Sequence, residues 1–157
     1  MNETLQHQLN HRSIRKFKDT PLTDEQLDLI LSAASQTPTY TFLQAASIIG
    51  VTDKAKQKRL AEICKQSYVA EAGYLFVIVC DMNRNALIAA AQNIPADGMG
   101  RAERFFPTFY DATLMTMNMV TAAESMGLGC VILGSINNDM QAVIDLLELP
   151  EYTFPCL

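Results

Sequence analysis

The stretch with the greatest capacity for chemistry is His11-Arg12-Ser13-Ile14-Arg15-Lys16-Phe17-Lys18. Four of the chain's twelve Lys and Arg fall between His11 and Lys18 with no acidic residue among them, in a protein of formal net charge -5. Arg12 and Arg15 each offer a planar fork of donors and Ser13 adds a hydroxyl between them, a set suited to a small anion such as phosphate. A solvated basic turn is the plainer reading, and composition leaves the two open. No nucleophile or phosphate-loop signature accompanies it: Gly-x-Ser-x-Gly, His-Glu-x-x-His and Gly-x-x-x-x-Gly-Lys are all missing. Gly127-Leu128-Gly129 sits between an expected helix and an expected strand, the reverse of the dinucleotide fingerprint, and lacks its third glycine. Cys64, Cys80, Cys130 and Cys156 form no Cys-x-x-Cys pair and only His7 and His11 accompany them, which removes zinc and dithiol motifs and suggests free thiols in a reducing cytoplasm.

The elements that must position these residues follow from periodicity. At 157 residues and 49% hydrophobic the chain reads as one domain over 1–157. A sequence pI near 4.9 argues against a nucleic-acid partner. The polar start Met1-Asn2-Glu3-Thr4 is unlike a secretory signal, and Thr113, Thr116, Asn118 and Thr121 interrupt the most apolar run, so no membrane span is expected. Leu5 and Leu9 predict a short helix over 3–10. Thr23 and Gln26 form a capping-box pattern ahead of Leu27, Ile30, Leu31 and Ala34, predicting a helix over 24–35. Pro38 and its neighbouring hydroxyls predict a loop over 37–41.

Strands are expected at 46–51 and, as a continuous apolar run covered on both faces, at 74–80. Between them Asp53 opens a helix that turns Leu60, Ile63 and Cys64 inward. A helix over 83–91 and a loop over 93–100 come next. From about Pro107 to Met126 apolar residues surround a helix, which predicts either a central core helix or burial against a second copy. A strand at 129–133 and a last helix capped by Asn137 or Asn138, carrying Met140, Val143, Ile144 and Leu147 inward, complete the pattern. Tyr152-Thr153-Phe154 begins a final extended run.

His11-Arg12-Ser13-Ile14-Arg15-Lys16-Phe17 resembles the opening motif of the nitroreductase family, flavoproteins that carry FMN. Asp19-Thr20-Pro21-Leu22, the segment from Thr41 to Ile49, the segment from Gly127 to Gly134, and Asn137-Asn138 stand in the expected order. Together they are similar to the subgroup of NADPH-dependent flavin reductases and oxygen-insensitive nitroreductases, over essentially the whole chain. The resemblance implies an α+β fold, a small mixed sheet flanked by helices, and a homodimer with FMN at its interface. It implies that His11, Arg12, Ser13 and Arg15 line the FMN site, with Arg15 beside the pyrimidine edge of the ring. Thr39, Tyr40 and Thr41 would match a loop contributed by the neighbouring subunit, although Tyr40 stands where a small residue is expected. Gln66 would hydrogen-bond the ring, and Ile132, Leu133, Gly134 and Ser135 would lie against it.

No side chain is implied as catalytic, since the flavin itself carries hydride from NAD(P)H to a nitroaromatic, a quinone or free flavin in a ping-pong cycle. A flavin-binding protein of the same fold without turnover is the alternative. Members of the subgroup run past the position of Leu157, with an extension that supplies basic residues to the FMN phosphate.

Overall fold

The computed structural model describes residues 2–18 and 20–157; Met1 and Asp19, the latter part of the motif quoted above, lie outside the described residues. Local capping signals place several helices. In α2 (Asp24–Ser35) the Thr23 hydroxyl accepts from Gln26 N–H at 3.2 Å while Gln26 Oε1 accepts from Thr23 N–H at 3.0 Å, a closed capping box. Asp53 caps α3 (Lys54–Cys64) through the N–H groups of Ala55 and Lys56. Helix α1 (Glu3–Leu9) forms as expected, yet Leu5 and Leu9 stay exposed and the helix buries no residue.

The sheet has the order β1-β2-β3, with β1 (Ala46–Val51), β2 (Leu75–Asp81) and β3 (Thr153–Pro155). All pairings are antiparallel, Ala46 opposite Cys80 and Val79 opposite Pro155. Central strand β2 is covered on both faces, as its apolar run predicts. Val77 and Val79 turn into a core with Leu60, Ile63, Val69, Ile136 and Val143. Ile78 and Cys80 turn into a second core with Ile30, Ala34, Ala112, Met119 and Ala123.

Three expectations are corrected. The mixed character expected of the sheet does not form among the described residues, because Gly129–Leu133 makes no ladder. It forms no strand and is tied to the basic stretch by Ile14 N–H donating to Cys130 C=O at 2.9 Å. Helix α4 (Asn83–Ala91) matches its expected bounds, but α5 (Ala102–Ser125) starts a turn and a half before Pro107. Proline denies the Glu103 carbonyl its helical donor, and the helix tolerates this near its first turns, where Thr108 donates its hydroxyl to Phe105 C=O at 2.6 Å. Neither asparagine caps α6 (Met140–Leu147): Asp139 does, accepting from Ala142 N–H at 3.0 Å. Asn138 is engaged elsewhere, donating to the carbonyls of Ile63 at 3.2 Å and Cys64 at 3.5 Å. The preceding Gly134–Asp139 forms a 3-10 helix.

Candidate functional site

Three segments converge at one end of the molecule. The basic stretch is held by the Ile14–Cys130 backbone bond and by contact of Ile14 with Gly129. Its far end packs Phe17 against Tyr68, ring centroids 6.5 Å apart, in the 3-10 turn Ser67–Val69 that follows Gln66. Asn138 then fastens Gly134–Asp139 to the end of α3, beside Cys64. His11, Arg12, Ser13 and Arg15 are thereby brought to the same region as Gln66 and as Ile132, Leu133, Gly134 and Ser135.

Within that region the donors are unspent. Among the described residues Arg12 and Arg15 form neither ion pair nor hydrogen bond, and both are exposed. Open space lies where a Cβ would stand on Gly134. Ser135 Oγ is buried with no hydrogen-bond partner. The nearby Cys64 thiol is pushed up by burial and drawn partly back by Ser135, whose hydroxyl stands short of hydrogen-bond geometry to it. Free guanidinium forks, an orphaned hydroxyl and open backbone suit a flat ligand carrying an anionic group.

His11 is already engaged. Its Nδ1 lies 2.6 Å from Glu124 Oε1 on α5, a link that orients the start of the basic stretch. Glu124 also faces Cys130, whose thiol burial and that carboxylate push up to about 11. Cys130 therefore stays protonated and a poor nucleophile at neutral pH.

Thr39, Tyr40 and Thr41 stand apart from these residues. Their loop is fastened to the other half of α5, where the Asp111 carboxylate, 2% exposed, accepts Tyr40 N–H at 2.8 Å and Ala45 N–H at 3.2 Å. Asn118 donates to Thr37 Oγ1 at 2.9 Å and Arg84 to the Gln44 carbonyl. Between Asp111 and Glu124 the helix rises about 20 Å. One chain thus does not bring 39–41 to its own basic stretch.

The comparisons with known proteins now bear on this geometry. The nitroreductase family model matches residues 9–157. The chain belongs to the nitroreductase family. An NADPH-dependent oxidoreductase of Staphylococcus epidermidis is 44% identical over 147 residues, which cover 92% of this chain and 58% of the relative. The NfrA1 nitroreductase of Bacillus subtilis superposes with a TM-score of 0.96 at 36% identity, over 98% of this chain and 63% of that one. The NADPH:FMN oxidoreductase of Vibrio harveyi, solved with NAD+, gives 0.92 at 37% identity, over 99% and 66%. The chain spans less than two thirds of the length of these relatives. Its α+β fold is that of the nitroreductases.

Glu124 and Asp111 are the residues that sequence reasoning passed over in this nitroreductase-family chain. Their signal was present, since beyond Glu103 in the first turn they are the two carboxylates of a helix otherwise apolar on most sides. Gly129 is a further positioning residue, because an added Cβ would stand 2.7 Å from Ile14 Cγ1. Gly129→Ala is expected to destabilise the fold by about 1–3 kcal/mol in urea titration. Combined with Ile14→Ala, the loss should be smaller than the sum of the single losses; strict additivity would show that the contact does not matter.

Proposed function

We propose that this chain is an FMN-dependent NAD(P)H oxidoreductase of the nitroreductase type, acting in the cytoplasm as one domain over 1–157. The observation that carries the reading is the pair of unspent guanidinium groups, Arg12 and Arg15, in the stretch that Ile14 ties to Gly129 and Cys130, the segment leading to the open backbone at Gly134. When bound, FMN supplies the hydride relay between NAD(P)H and a nitroaromatic, quinone or free flavin. The protein's share is binding and electrostatics. Arg12 and Ser13 offer donors to phosphate and ribityl oxygens, and Arg15 places positive charge at the pyrimidine edge, where it favours a reduced, anionic ring. Gln66 adds an amide, and Ile132, Leu133, Gly134 and Ser135 form the floor with one free hydroxyl. One open face serving donor and acceptor in turn would give ping-pong kinetics, read as parallel double-reciprocal lines.

The reading includes a homodimer. Phe106, Tyr110, Leu114 and Met117 form an exposed apolar stripe along α5, and Leu5 and Leu9 of α1 are uncovered. In a second copy the 39–41 loop could reach the site that its own chain cannot. Sedimentation at micromolar concentration tests this, a monomer being the adverse result.

The visible absorption spectrum of the purified protein, with mass analysis of the molecule released on denaturation, tests the whole reading. Equimolar FMN is expected. A protein that stays colourless after incubation with excess FMN would retain the fold and lose the catalytic assignment; bound flavin that NAD(P)H cannot reduce would leave the non-catalytic alternative.

A further inference from the structure

The shortest ion-pair contact among the described residues joins His11, the first residue of the basic stretch, to Glu124 in the last turn of α5, Nδ1 to Oε1 at 2.6 Å. The Glu124 side chain is 15% exposed and that of His11 41%, so the carboxylate is withdrawn from water while the ring is not. A carboxylic acid gives up its proton far more readily than an imidazole does, so the shared hydrogen belongs to Nδ1 and Glu124 accepts it. Nε2, at the other edge of the ring, has no partner among the described residues.

This arrangement limits what Nε2 can do. In a neutral imidazole one nitrogen carries the hydrogen and the other a lone pair. With the hydrogen held at Nδ1, the neutral ring turns a lone pair outward and repels an anion. Only the imidazolium, with a hydrogen on both nitrogens, donates at Nε2. The groups around the pair do not relieve that constraint. Arg12, next in the chain, stays a cation. Cys130, in the segment after α5, stays a neutral thiol, because burial and Glu124 push it up to about 11. His7, in the last turn of α1, is the other imidazole on this side, since α1 packs on α5.

We propose that Glu124 is a positioning residue that couples anion binding at the basic stretch to the uptake of one proton. It holds the Nδ1 hydrogen of His11, so Nε2 bonds a phosphate oxygen only after the ring takes a second hydrogen from solvent. The pair is then neutral beside the anion, where the unprotonated pair would carry a negative charge. The ligand class is a phosphate-bearing molecule. On the flavin reading above, on which this rests, the group is the phosphate of FMN, and riboflavin, which lacks it, escapes the coupling.

Calorimetric titration of the flavin-free chain with FMN, in buffers of different ionisation enthalpy, counts the protons. The unaltered chain should take up about half to one proton more per FMN than Glu124→Gln at slightly alkaline pH. A glutamine amide can donate to Nδ1, which frees the neutral tautomer with its hydrogen on Nε2. Between about pH 6.5 and 8.5, FMN affinity should accordingly fall about tenfold more in the unaltered chain than in Glu124→Gln. Both differences should be absent with riboflavin and in a His11→Gln background, and His7→Gln should leave both intact. A residue that only held the fold would weaken FMN and riboflavin alike at every pH. Equal proton counts in the unaltered chain and Glu124→Gln would overturn the proposal, as would the same difference with riboflavin. If no flavin binds, the flavin reading fails by itself, and the same count with inorganic phosphate decides the role of Glu124; a chain that binds neither overturns this proposal too.

Discussion

Arg15→Ala is expected to bind FMN about 10- to 100-fold more weakly than the unaltered chain, read by quenching of flavin fluorescence. A hydrogen bond to a charged group contributes about 1.5–3 kcal/mol, and the guanidinium of Arg15 has no competing protein partner among the described residues. For the same reason the thermal midpoint of the apoprotein should not move. Arg15→Lys keeps the charge and loses the fork, so it should restore only part of the affinity. Unchanged affinity in Arg15→Ala, with FMN still bound, would remove Arg15 from the site and leave Arg12 and Ser13 as the anchors.

Asp111→Ala is expected to cost about 2–4 kcal/mol of folding stability. The buried carboxylate satisfies Tyr40 N–H and Ala45 N–H together, and each donor left without an acceptor away from water costs about 1–3 kcal/mol. Asp111→Asn keeps the shape and one acceptor oxygen, so its loss should be smaller. Urea titration gives the magnitudes, and hydrogen exchange at Tyr40 and Ala45 gives the location. A stable Asp111→Ala chain whose two amides remain protected would mean that Arg84, Asn85 and Asn118 hold the loop unaided.

What was legible in the sequence was local. Thr23 and Gln26 announce α2 because both partners of the capping box lie within one turn, and the uninterrupted apolar run of β2 announces a strand covered on two sides. Gly129–Leu133 has the composition of a strand and is not one here, since strand formation needs a run of partners at ladder distance and, among the described residues, Ile14 gives it a single long-range backbone bond. Asn138 has the chemistry of a helix cap, but carbonyls at the end of α3, remote in sequence, claim its amide. The same division holds in the site. The basic stretch is visible as a cluster of donors, whereas the link from His11 to Glu124, separated by 113 positions, is a product of folding and has no local sign.

Pro107 divides α5 into two parts with different lifetimes. Without a donor for the Glu103 carbonyl, the first turn, carrying Arg101 at its cap and Arg104, Phe105 and Phe106 within it, is tied to the turns beyond by one backbone bond fewer than an uninterrupted helix would supply. The later turns bury Ala112, Thr116, Met119, Val120 and Ala123 and open only with the cores they join. The helix is in this sense two cooperative units placed end to end, a short one that frays on its own and a long one that shares the fate of the whole domain. Within α5, a trypsin-like protease should therefore cut after Arg101 or Arg104 without global unfolding, at the seam that a single imino acid writes into an otherwise continuous rod.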